Sequence, residues 1–271
     1  MPVSHAVRGP AGTLACWEWP GGEPGALLLH GIGNYARVWD LVADAVAGRL
    51  RLAAPDARGH GASVTAASGY TPEDFGADAI SVMDALALDR PVVVGHSMGG
   101  AHALVLAALH PEKVRSLVLV DVGPEIGREG GDRARRLSLG RPDRFADESA
   151  ALAYLRETSP GYADVVYANR LAHAFTRDAD GLAWRSSKDA LTRILSGPDR
   201  REEAWRALGA LAMPVLVVRG TRSESLRPET YARMLATIPN AHGRELDAGH
   251  NVQLDRPNEL ADAIVAFARS G

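Results

Sequence analysis

Ser97 stands between glycines in Gly95-His96-Ser97-Met98-Gly99, directly after the apolar run Val92-Val93-Val94 and directly before an apolar helical stretch. A serine hydroxyl attacks a carbonyl only when a base withdraws its proton, and that base needs an acid to orient it. Of the nine histidines, His250 in Ala248-Gly249-His250-Asn251 has the best place for the base, in a loop between an apparent strand, Arg244 to Asp247, and the last helix. Two carboxylates compete for the acid. Glu224 is the first choice, being the only carboxylate in the loop Gly220-Thr221-Arg222-Ser223-Glu224-Ser225. Asp121, at the end of the apolar run Ser116 to Val120, is the alternative.

Attack by Ser97 turns a carbonyl oxygen into an oxyanion, which requires N–H donors already in place. Met98 opens a helix and offers one. His30-Gly31-Ile32-Gly33 follows the first long apolar run and offers the N–H of Ile32, the flanking glycines allowing close backbone approach. The same glycines fit a rival pattern. Gly31-Ile32-Gly33-Asn34-Tyr35-Ala36 satisfies a dinucleotide fingerprint, with Asp56 as the ribose-binding acid. That reading explains neither Ser97 nor His250. Substrate contacts are expected from His30, Gly31, Tyr35, Trp39, Tyr154 and Trp184, with Met98, Tyr162 and Tyr167 as further candidates for an apolar acyl or aromatic pocket.

Short apolar runs that read as buried strands must position these groups: Ala26 to His30, Leu52 to Pro55, Pro91 to Val94, Ser116 to Val120 and Pro214 to Arg219. Helical patterns lie between them. One follows Thr71, a capping residue, with Pro72 at the first helical position and Phe75, Ala79, Val82, Met83 and Leu86 on one face. Another runs from about Met98 to Leu109, a third begins near Pro228, and a last runs from about Pro257 to Ala268. This alternation predicts an α/β fold, a mostly parallel sheet covered on both faces. From Glu125 to about Leu208 the β-like runs stop and charged, Ala- and Leu-rich segments take over, which reads as a helical insertion (125–208) into a core made of 1–124 and 209–271.

Together, His30-Gly31-Ile32-Gly33, the stretch Asp56-Ala57-Arg58-Gly59-His60-Gly61-Ala62-Ser63, the motif around Ser97 and Gly249-His250 resemble the α/β-hydrolase family. The resemblance implies an eight-stranded sheet, a helical cap inserted after the strand that ends at Val120, and a structural turn at Asp56 to Ser63. It departs from the family in one place. The position at which members commonly carry the acid, three residues after the glycine ending the acid-bearing strand, is Ser223 here. Ser97 also sets the chain apart from the members with an aspartate nucleophile.

The function expected is hydrolysis of an ester, thioester or lactone through an acyl-enzyme. C–C bond hydrolysis, lyase chemistry or acyl transfer on the same fold is the alternative; a ligand receptor and an NAD-dependent oxidoreductase are readings of another class. Net charge is -3, with 33 acidic against 30 basic residues, so the balance of charge supplies no general attraction to nucleic acid or an anionic membrane. The partner expected is a small molecule, and the protein itself a monomer or homodimer. The single Cys16 excludes an intrachain disulfide and a multi-cysteine zinc site and favours the cytoplasm. No run approaches the ~18 apolar residues of a membrane span. Without H-E-x-x-H or comparable spacing, neither metal nor organic cofactor is expected. The arginines that begin the insertion, Arg128, Arg133, Arg135, Arg136, Arg141 and Arg144, alternate with Glu129, Asp132 and Asp143. They read as a solvated helix face with local ion pairs, the alternative being a site for a carboxylate-bearing or phosphorylated substrate.

Overall fold

Side chains that alternate along a strand must alternate between the two faces of a sheet, and the central strands here are apolar through their middles on both sides because both faces are covered. In the computed structural model, which describes residues 1–270, Val92, Val94, Val118, Val120, Leu216 and Val218 join one core. Val93, Leu117, Leu119, Val215 and Val217 join the core on the other side.

The chain begins with a hairpin, β1 (Val3–Gly9) and β2 (Gly12–Trp19), followed by β3 (Ala26–Leu29), α1 (Asp40–Val46), β4 (Leu52–Pro55), α2 (Pro72–Ala85), β5 (Val92–His96), α3 (Met98–Leu109) and β6 (Ser116–Val120). After a long excursion it closes with β10 (Val215–Gly220), α9 (Pro228–Thr237), β11 (Ala241–Leu246), α10 (Val252–Asp255) and α11 (Pro257–Ser270). These eight strands form one sheet in the order β1-β2-β4-β3-β5-β6-β10-β11. β2 runs antiparallel to both its neighbours, and the remaining pairings are parallel. The α/β class with a mostly parallel eight-stranded sheet is therefore as expected. The hairpin escapes the sequence reading because only one of its faces is buried, at Val7, Leu14 and Cys16.

α2 begins as its residues dictate. Thr71 and Asp74 form a reciprocal capping box, and Pro72 occupies the first turn, where its missing N–H costs nothing. The expected face, Phe75, Ala79, Val82, Met83 and Leu86, is buried.

The excursion between β6 and β10 holds α4 (Arg128–Leu139), β7 (Arg144–Phe145), α5 (Glu148–Thr158), α6 (Asp164–His173), β8 (Phe175–Asp178), β9 (Gly181–Trp184), α7 (Lys188–Leu195) and α8 (Arg201–Ala210). It is not wholly helical, since β7, β9 and β8 pair into a small antiparallel sheet. Strands of two to four residues are too short to leave a period in the sequence. α8 packs against α3 and α9 of the main body, so it straddles the expected boundary at residue 208. No helix is long and apolar enough to cross a membrane among the described residues.

Candidate active site

The site is assembled where β5, β6 and β10 end side by side. Ser97 follows β5 with φ 52° and ψ -120°, a conformation that non-glycine residues avoid. Asp121 follows β6 with φ 48°. Strain of this kind costs about 1–3 kcal/mol per residue and persists only where the surroundings enforce it. Here the sheet enforces it: Ser97 N–H donates to Val120 O (3.2 Å) and Asp121 N–H to Val218 O (2.8 Å). The turn at Ser97 also needs glycines beside it. A Cβ on Gly95 would stand 2.5 Å from the Gly100 Cα, and one on Gly99 would stand 2.3 Å from the Leu29 carbonyl oxygen.

His250 lies in the loop between β11 and α10 and spans the gap between these two residues. Its Nδ1 is 2.7 Å from Asp121 Oδ2 and its Nε2 is 3.1 Å from Ser97 Oγ. A carboxylate only accepts, so Nδ1–H donates to Asp121 and Nε2 is left to accept from the serine hydroxyl. The Asp121 side chain is fully buried while His250 is 31% exposed, so the chain of hydrogen bonds runs from the interior to the cavity. Two more donors hold the carboxylate: Gly220 N–H to Oδ1 (2.9 Å) and Ser223 Oγ–H to Oδ2 (2.5 Å).

Of the two candidate acids, the structure brings the alternative, Asp121, and not Glu224, to His250. Glu224 is exposed at the cavity wall, whereas Asp121 contacts His250. The reason is the left-handed turn after β6, which swings the Asp121 side chain under the loop that follows β10; a hydroxyl, Ser223, fills the space there. An aspartate directly after the apolar run Leu117–Val120 of β6, together with a serine three residues after Gly220, was the available signal.

His96 fixes the backbone of His250. Its Nε2–H donates to the His250 carbonyl (2.9 Å), and its Nδ1 faces Gln253 Nε2 at 3.4 Å. Burial holds the His96 imidazole well below its usual pKa, hence neutral, as a ring with one donor and one acceptor must be. Opposite, in the loop after β3, Gly33 N–H donates to His60 Nε2 (3.0 Å) and Asn34 N–H to Gly31 O (3.1 Å). Ile32 sits between Gly31 and Gly33 on the wall of the cavity that also exposes Ser97 and His250. A Cβ on Gly31 would stand 2.9 Å from the His96 ring, which is why a glycine is needed there.

This cavity, about 310 Å³, is roofed by the excursion. Trp184 from β9, Tyr162 and Arg141 line it; Asn251 Nδ2–H, beside His250, donates to the Tyr162 hydroxyl (3.1 Å). Of the expected substrate-contacting residues, Gly31 and Trp184 are on its wall. His30, Tyr35, Trp39 and Tyr154 are not. His30 is buried, with Nδ1–H donating to Gly31 O (2.8 Å) and Nε2 accepting from Ala57 N–H (3.0 Å). Tyr35 is buried and donates to Asn169 of α6 (2.8 Å); Trp39 is fully buried in the core; Tyr154 packs against Phe145 and Trp184. Tyr35, Trp39 and Tyr154 were candidates as aromatic side chains that could line a pocket, but their packing and hydrogen bonds are taken up within the protein.

The dinucleotide reading also fails on its acid. Asp56 is buried, and its oxygens are occupied by the N–H groups of Ala36 (2.7 Å) and Ala62 (2.8 Å), while a Cβ on Gly61 would collide with it at 1.9 Å. Burial pushes its pKa up to about 6. It is the clamp of a turn, in keeping with the resemblance. Among the described residues no group of three or more His, Cys, Asp or Glu side chains is arranged to hold a metal ion.

Comparison with known proteins agrees with this fold. Residues 27–257 match the family model described as alpha/beta hydrolase fold. A 3-hydroxybutyrate-oligomer hydrolase of Cupriavidus necator is 31% identical over 95% of this chain and 94% of that protein. An esterase of Mycobacterium tuberculosis is 29% identical over 97% of this chain and 89% of its own. Among solved structures, an E-2-(acetamidomethylene)succinate hydrolase superimposes with a TM-score of 0.88 at 28% identity, covering 99% of this chain and all of that one.

Proposed function

Because this chain belongs to the alpha/beta hydrolase fold family, we propose that it hydrolyses carboxylic esters through an acyl-enzyme on Ser97, with His250 as the base and Asp121 as the orienting acid. The observation that carries this reading is the continuous hydrogen-bonded line Asp121–His250–Ser97, at 2.7 and 3.1 Å. Esterase and hydrolase relatives of similar length support it.

The chemistry follows from that line. His250 Nε2 takes the Ser97 proton as Oγ bonds to the ester carbonyl, and the imidazolium so formed lies against the Asp121 carboxylate. The N–H groups of Met98 and Ile32 receive the oxyanion: Met98 is at the positive end of α3, and the N–H groups of Gly33 and Asn34, which follow Ile32, are already engaged. Collapse of the tetrahedral intermediate expels the alcohol, which takes its proton from His250. Water then enters, gives a proton to His250 and attacks the acyl-enzyme; the acid departs and Ser97 Oγ regains its proton. The excursion 125–198 acts as a cap that walls off the acyl or alcohol portion.

The test combines turnover of short p-nitrophenyl esters with fluorophosphonate labelling. Wild-type protein should label at Ser97 and release nitrophenolate; Ser97→Ala should do neither. Turnover by Ser97→Ala equal to wild type would overturn the reading.

A further inference from the structure

Arg141 is a guanidinium that the proposed mechanism does not use. It lies between α4 and β7, is 5% exposed, and lines the cavity that holds Ser97 and His250. Ser186 takes two of its donors, Nη1 to Oγ (2.9 Å) and Nη2 to the carbonyl (2.6 Å), and its plane lies 4.5 Å over the Trp184 ring. No carboxylate forms an ion pair with it among the described residues. The nearest acid in sequence, Asp143, is bound by Lys188 (2.8 Å). Burial pulls the Arg141 pKa down to about 10, yet the group remains a cation at neutral pH.

Burying a cation without a counter-charge is costly, so surface arginines usually stay in water or meet an acid. Elsewhere in the excursion they do so: Arg128 pairs with Asp132, Arg144 with Asp178, and Arg156 with Asp164. Of the excursion's arginines that form no ion pair among the described residues, Arg135 and Arg136 stay exposed on α4 and Arg185 donates to the Phe175 carbonyl away from the cavity, whereas Arg133, Arg141 and Arg170 meet on its wall. Arg133 reaches only the Thr158 carbonyl, and Arg170 donates to no acceptor among the described residues; both line the same cavity as Arg141. Glu224, exposed at the wall, is the one carboxylate lining it, and Arg222 beside it is already paired with Asp247 at 2.9 Å.

We propose that Arg141, assisted by Arg133 and Arg170, is the anchor of a carboxylate subsite, so that the substrates of this site are esters that carry a free carboxylate besides the bond to be cleaved. The N–H groups of a planar guanidinium that Ser186 does not take match the oxygens of a carboxylate, and Trp184, which lines the same cavity, packs against the guanidinium. This inference rests on the hydrolase reading above and narrows it to a substrate class.

Two matched pairs of probes test it. Mono-p-nitrophenyl adipate against p-nitrophenyl hexanoate places the carboxylate on the acyl side; 4-carboxyphenyl hexanoate against phenyl hexanoate places it on the alcohol side. In at least one pair wild-type kcat/KM should favour the anion by about tenfold or more, and in Arg141→Gln that ratio should fall by about fivefold or more, towards one, mainly through KM. Arg170→Gln, at a half-buried position, should lower the same ratio by a smaller factor and serves if Arg141→Gln fails to fold. Ratios near one in both wild-type pairs, or a ratio that neither substitution changes, would overturn the subsite while leaving Ser97-dependent turnover of the neutral esters, and so the hydrolase reading, in place. Absence of Ser97-dependent turnover of every probe would remove both.

Discussion

Replacing Asp121 by Asn changes a charge and almost no volume, and the structure sets the size of the response. On the proposed mechanism the transition state holds His250 as an imidazolium 2.7 Å from a buried carboxylate. At an effective dielectric of about 20 their attraction is roughly 6 kcal/mol. The amide keeps a weaker hydrogen bond, and the 31% exposure of His250 admits solvent, so about 4–5 kcal/mol should be lost. That is a fall of roughly 10³- to 10⁴-fold in kcat/KM. An amide nitrogen facing Nδ1 would also favour the wrong imidazole tautomer, which acts in the same direction. The assay is hydrolysis of p-nitrophenyl hexanoate by Asp121→Asn, Glu224→Gln and Ser97→Ala, with circular dichroism as a check on folding. Glu224→Gln should stay within about fivefold of wild type, because that side chain is exposed and does not reach His250. If folded Asp121→Asn keeps more than a tenth of wild-type activity, or Glu224→Gln loses as much as Asp121→Asn, the argument from geometry is wrong.

His102, buried and stacked on Phe75 at 3.9 Å, has its pKa lowered to about 3 by burial and then by nearby positive groups. It therefore favours folding fully above the unfolded pKa of about 6.5 and progressively less as pH falls towards 3; His102→Gln should remove about 2 kcal/mol of the stability lost between pH 7 and pH 5, measured by urea unfolding at each pH. Parallel curves for the two proteins would contradict this. Gly99→Ala should destabilise by about 3 kcal/mol or more, because the Cβ would stand 2.3 Å from a backbone carbonyl oxygen of β3; an unchanged urea midpoint would show that the turn can yield. Asn169 donates to Asp40 (2.9 Å) and to the Arg37 carbonyl (3.1 Å) and accepts from Tyr35, tying the excursion to the core. Asn169→Ala should cost about 2–3 kcal/mol and admit protease first between α4 and α7, as mapped by limited proteolysis.

The elements read best from sequence are those whose information is local. β5 and α3 flank Ser97 as an apolar run and an apolar helix joined by glycines, and the flanking contacts leave no other residue type room. α2 carries its own cap and its own apolar face. The hairpin β1–β2, half buried, and the short strands β7 to β9 leave too little periodic signal, and α8 belongs to the core only through its packing on α3.

Residue type, spacing and chain order were enough to single out Ser97 and His250 as a candidate pair, which the fold brings to 3.1 Å of each other, because a strand running through glycines into a helix makes a turn that few other sequences make. Which carboxylate meets His250 lay outside that information. Asp121 and His250 are 129 residues apart and meet only because β6 and β10 are neighbours in the sheet and the chain turns left-handed after β6. Arg141 is the same case in the excursion. In sequence it is one of a run of charges that reads as a solvated face, and only the packing of the excursion over the sheet buries it on the wall of the cavity that holds Ser97, with no ion-pair partner of its own among the described residues. Local sequence determines conformation and chemical type; the environment of a charge is decided by what other segments bring to it.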